Sequence, residues 1–142
     1  MTIRQLSICI ENQSGTLQKV LELMRKSRIQ IIACTIADTA EYGLFRIICS
    51  EPERACAELK EAGVAVAISD VFAIELDNQP GGAADVVRVF SEAGIGITYM
   101  YAFLLDGRGI LIFKTTQTVE AEAAIRAHAL RCLSEKDLPV NA

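Results

Sequence analysis

The chain states one pattern twice, 66 residues apart. Asn12-Gln13-Ser14-Gly15 recurs as Asn78-Gln79-Pro80-Gly81, and the register continues through Val20 and Val86, Leu21 and Val87, Met24 and Phe90, Ile29 and Ile95, and Ile31 and Ile97. Upstream, Leu6, Ile8 and Ile10 fall on Phe72, Ile74 and Leu76, apolar at every second position as in a strand with one buried face. The duplication divides the 142 residues into two domains, expected at 1–69 and 70–142. A unit of ~70 residues buries only about 60% of its extended-chain surface and is marginal alone. The halves should therefore pack on each other or on a second chain.

Each half reads as the same series of elements. In the first, residues 3–10 form a strand, a turn at 11–15 ends it, and residues 16–27 carry Leu17, Val20, Leu21 and Met24 at helical spacing. Ile29 to Ala37 and Tyr42 to Cys49 are rich in β-branched and apolar residues and make a hairpin across Asp38-Thr39-Ala40-Glu41. Glu51-Pro52-Glu53 opens a second helix, Gly63 stops it, and Val64 to Ile68 is the last strand. The second half gives helix 82–93, strands 95–104 and 109–115 joined at Asp106-Gly107, helix 118–128 with Val119, Ala123 and Ile125 inward, and a final strand at Leu130 to Leu133. Ser134 is placed to cap a short terminal helix that includes Leu138. The fold class is α+β: two tandem ferredoxin-like βαββαβ units, antiparallel sheets with both helices on one face. The other face carries Ile3, Gln5, Ser7 and Cys9 in the first copy and Val71, Ala73 and Glu75 in the second, a mixed surface that must meet water or be covered.

Composition removes several function classes. A net charge of −4 with no dense Lys or Arg run weighs against a nucleic-acid partner. The five cysteines lie scattered in apolar runs without a Cys-x-x-Cys pair, which suggests buried thiols in a reducing compartment and neither a disulfide framework nor a zinc knuckle. The N-terminus alternates like a strand and lacks the parts of a secretory signal, and no apolar run reaches the ~18 residues that cross a bilayer. A cytoplasmic protein with no membrane partner is expected.

Asn-x-x-Gly between first strand and first helix, followed by Ile-x-Ile entering the second strand, resembles the ACT domain. Ile8 to Leu17 and Ile74 to Ala83 carry the resemblance, the latter with Pro80-Gly81, and together the copies cover nearly the whole chain. It looks like a stand-alone tandem ACT protein with no attached enzyme. The resemblance implies a pocket for a small effector, typically an amino acid, lined by the turn and helix start at a domain or subunit interface. It also implies a homodimer and a separate regulated protein partner. Carried onto this chain, the ligand-binding residues are Asn12, Gln13, Ser14, Gly15, Thr16, Leu17, Asp77, Asn78, Gln79, Pro80, Gly81, Gly82 and Ala83. Tyr99 and Tyr101, in the one aromatic concentration, are added as a candidate wall.

The residues themselves supply a reason. Gly15 or Gly81 lets the backbone approach a ligand, and unpaired N–H groups of the first helical turn favour a carboxylate. The plainer account is that Asn and Gly form ordinary turns. Gly82 beside Gly81 leaves the second helix start without side chains, so the second copy is the preferred binding turn. Asp38 and Asp77 are candidates for a ligand ammonium. His128 stands alone and reads as a helix C-terminal residue, and Arg46 as a charge on the exposed sheet face. No Gly-x-Gly-x-x-Gly or Walker sequence, nucleophile with a base, or metal cluster emerges, so no enzyme activity, cofactor or metal is expected. The rival reading is a protein interaction module without a small-molecule ligand.

Overall fold

Two clusters of buried side chains account for the duplicated pattern. A computed structural model describes residues 1–11, 15–38 and 42–139, which divide into two units, one built on Arg4–Ser69 and the other on Asp70–Asp137 with Met1–Ile3. The first follows the order β1 (Ile3–Glu11), α1 (Thr16–Lys26), β2 (Ile31–Asp38), β3 (Tyr42–Cys49), α2 (Pro52–Glu61) and the start of β4 (Val66–Glu75). β3 lies antiparallel between β1 and β2, with Ile8 opposite Phe45 and Cys34 opposite Ile47. On the other side of β1, the Cys9 N–H donates to the Ala65 carbonyl at 3.0 Å. The second unit continues from β4 through α3 (Gly82–Glu92), β5 (Tyr99–Leu105), β6 (Arg108–Lys114), α4 (Thr118–Ala127) and a 3-10 turn at Glu135–Asp137. β6 pairs antiparallel with both β4 and β5.

Alternation places Leu6, Ile8 and Ile10 of β1 against Val20 and Met24 of α1 and Ala55 and Leu59 of α2. Sixty-six residues on, Phe72 and Ile74 meet Val86, Phe90, Ala121 and Ile125. The second cluster is the more aromatic, with Phe113 stacked on Phe72 at 5.1 Å and tilted against Phe90 at 4.6 Å. In both units the helices cover one face of an antiparallel sheet, as the ferredoxin-like reading requires.

The four α-helices among the described residues end the same way. Their residues just past the C-cap, Arg28, Gly63, Gly94 and Ala129, take φ values of 57°, 83°, 74° and 50°. The next N–H closes a six-residue loop: Ile29 to Met24 O, Val64 to Leu59 O, Ile95 to Phe90 O and Leu130 to Ile125 O, at 2.9 to 3.0 Å. These are Schellman caps, each with an apolar residue folded back over the last turn.

Several boundaries differ from expectation. Val64 to Ile68 and the first strand of the second copy form one uninterrupted strand, β4. β5 begins at Tyr99 rather than at residue 95, because the preceding backbone bonds to the start of α4: Gly96 N–H donates to Gln117 Oε1 at 2.9 Å, and Thr115 Oγ1 donates to Gly96 O at 2.7 Å. Residues 130–133 form a single bridge, Ile74 to Cys132, instead of a full strand. On α4 the inward residues are Ala121, Ala124 and Ile125; Val119 is 77% exposed. Ser134 precedes the 3-10 turn, but the capping carboxylate is Asp137, which accepts from the Ser134 N–H at 2.8 Å; Leu138 lies just beyond. The second sheet face is more apolar than expected: Ile3, Gln5, Ile48, Val71, Ala73, Ile110 and Ile112 are all fully buried outside the two helix-packed clusters. Gln5 is satisfied in part by donating to Ser7 Oγ at 3.3 Å. Arg46, expected on an exposed face, is half-buried between Ser7 and Thr35.

Candidate functional site

The start of α1 is set by a glycine. Gly15 is the N-cap of α1 at φ 96°, a left-handed conformation that a side chain strongly disfavours, and among the described residues no side chain caps the helix there. Its first turn carries no acidic residue. Among the described residues no acid or capping side chain competes for the N–H groups and the positive end of this helix, which favour an anion.

A cleft of about 510 Å³ lies at this helix start, a size ordinary for a small-molecule site. β1 contributes Cys9 and Glu11, α1 contributes Gly15, Thr16, Lys19 and Val20, and the connection from α2 to β4 contributes Gly63, Val64 and Ala65. The three segments meet for traceable reasons. The Schellman cap at Gly63 turns the chain back toward the sheet, and the bond from Cys9 N–H to Ala65 O fixes that connection beside the end of β1. Chemically the cleft offers a cation at Lys19, helix N–H groups beside it, a carboxylate at Glu11 and apolar surface from Val20 and Val64.

The predicted residues distribute unevenly. Gly15 and Thr16 line the cleft, whereas Leu17 turns toward the first core. Asn12, Gln13 and Ser14 lie outside the described residues. Asp77, Asn78, Gln79, Pro80 and Gly81 form an exposed turn in the second unit, leading through Gly82 and Ala83 into α3. Gly81 repeats the left-handed N-cap at φ 91°. A Cβ on Gly82 would stand 2.5 Å from Asp77 Oδ1, so the space over this helix start is taken by the chain's own carboxylate. Asp85 adds an acid to the first turn. Tyr99 and Tyr101 are half-buried on β5, separated from β4 and its turn by β6. Asp38 ends β2. His128 is the C-cap of α4, with Nδ1 3.1 Å from the Ala124 carbonyl, consistent with the helix-terminal role expected of it.

Sequence reasoning did not single out Cys9, Lys19, Val20 or the 63–65 segment. The ferredoxin-like order itself was the available signal, since it sets the fourth strand beside the first. Among the described residues, no group of three or more His, Cys, Asp or Glu could hold a metal ion, and no helix is long and apolar enough to cross a membrane.

The profile of the ACT domain pair family matches residues 1–141. Among solved structures, protein BT0572 from Bacteroides thetaiotaomicron is 34% identical, with 96% of this chain and 95% of that chain covered and a TM-score of 0.91. The ligand-free regulatory subunit of aspartate kinase from Thermus thermophilus is 17% identical, over 89% of this chain and 90% of that chain, with a TM-score of 0.62. That of Thermus flavus is 18% identical, over 87% and 88%, with a TM-score of 0.59. At such identity the two kinase subunits speak for the fold alone. No curated protein matches the chain.

Proposed function

This chain belongs to the ACT domain pair family, and from that premise we propose that it is a non-catalytic regulatory sensor that binds a small effector, an amino acid, at the turn between β1 and α1. The observation that carries this reading is the cleft of about 510 Å³ at the start of α1, with Lys19 and Glu11 on its walls. An α-amino acid presents a carboxylate and an ammonium on one carbon. The carboxylate suits the α1 N–H groups and Lys19, the ammonium suits Glu11, and Val20 and Val64 offer apolar contact to a side chain. Sensing requires more than occupancy. The effector must bind two arrangements of the protein unequally, because equal affinity shifts neither.

A thermal-shift screen against the twenty amino acids, followed by calorimetry on any hit, tests the proposal. An effector at 100 times its dissociation constant stabilises the fold by about 2.7 kcal/mol, readily seen as a rise in melting temperature. A folded protein indifferent to all twenty would remove the amino-acid reading. The second reading, a protein interaction module, draws on the apolar residues that β5 presents outward, Met100 at 50% and Leu104 at 76% exposure. Capture of a protein partner without any effector would favour it.

A further inference from the structure

Resting on the effector reading above, we infer that the chain binds one effector, at the first copy only, and that the matching turn of the second copy is closed to a carboxylate by its own charges. Because the copies keep one register, the comparison is made residue by residue. Glu11 and Lys19, the charged residues on the first cleft, cancel; their counterparts are Asp77 and Asp85, both acidic. Cys9 and Ala65, small and uncharged, correspond to Glu75 and Arg131. Across these four positions the first copy has no net charge and the second has three acids against one base.

The second copy's charges are also committed. Asp77 Oδ1 overhangs the first helical residue, where a Cβ on Gly82 would lie 2.5 Å away, and Asp85, in the first turn of α3, accepts from Arg88 Nη2 at 3.1 Å. α3 thus has the Asp77 carboxylate over its positive end and a second acid in its first turn, whereas α1 has no acid in its first turn. Nor does Arg131 stand in for Lys19. Its Nε lies 2.5 Å from Glu75 Oε2, and Arg108 Nη1 holds the other oxygen at 3.0 Å, around a carboxylate only 15% exposed. An entering carboxylate would meet like charge, and the cations described around it, Arg88, Arg108 and Arg131, are each already paired with a carboxylate, Asp85 or Glu75.

Backbone-amide NMR of the full chain, titrated with sodium acetate at constant ionic strength, reads the two turns separately. The Gly15 and Thr16 signals should shift saturably while Gly81 and Gly82 do not. Lys19→Asp, which installs the second copy's residue, should weaken the first response about tenfold through loss of a charge-assisted bond. Asp77→Gly combined with Asp85→Lys should bring a saturable response to Gly81 and Gly82. Equal responses at both turns, or a response at the second alone, overturn the one-site inference. Silence at the first turn overturns it too. In either case a melting temperature still raised by an amino acid leaves the effector reading standing, and one raised by none of the twenty ends that reading as well.

Discussion

Ala129 holds φ at 50°, and its counterpart in the first copy, Gly63, holds 83°. A left-handed residue with a Cβ costs roughly 1–2 kcal/mol relative to glycine. Ala129→Gly should therefore stabilise the protein by about 1 kcal/mol, and Gly63→Ala should destabilise it by about as much, both read from denaturant midpoints at unchanged slope. Asp137 makes a pH prediction at the same scale. Hydrogen bonds from the Ser134 backbone and hydroxyl hold its carboxyl below the usual aspartate range. A group whose folded value is depressed contributes its stability above the unfolded value and loses it as pH falls through the folded one. The Ser134 amide signal should thus move with a midpoint below that of a free aspartate; a midpoint at the ordinary value would show the bond absent in solution. Gly15, Gly63 and Gly81 were legible as turn residues because glycine advertises its freedom. Arg28 and Ala129 were not, since neither residue type signals a left-handed angle.

At the scale of elements, α4 separates pattern from packing. Its alanine-rich stretch offers little periodicity, so Val119 and Ala123 were read as inward alongside Ile125, yet Val119 is 77% exposed and Ile125 only 2%. Val119→Glu should change stability by less than about 0.5 kcal/mol, while Ile125→Ala should cost about 2–4 kcal/mol; comparable losses would contradict the assigned face. Helices elsewhere were placed within a residue or two, because Leu17, Val20, Leu21 and Met24, and their counterparts, repeat a helical period around glycine stops. Strand ends were harder. The late start of β5 depends on Thr115 and Gln117, which bond to Gly94 and Gly96 from about twenty residues away, and no local pattern announces that. The fusion of two expected strands into β4 runs straight through Ser69-Asp70, a pair that by composition favours a turn, with no Gly or Pro between Val66 and Glu75 to break the strand.

For the whole molecule, duplication gave the architecture away and left the candidate site open. One register carries both cores, so the tandem fold was readable from apolar positions alone. The preference for the second copy as a binding turn came from the bare Gly81-Gly82 pair, and the space above Gly82 turns out to hold Asp77. The far wall, Gly63 to Ala65, comes from some fifty residues downstream and enters only once the sheet is assembled. Binding of an effector at the first turn is tested most directly by calorimetric titration of the intact chain with the amino acid that most raises its melting temperature. Saturation at one molecule per chain is expected, with Lys19→Asp still folded and its affinity reduced about tenfold. Full binding by Lys19→Asp, or two equivalent molecules per chain, would contradict it.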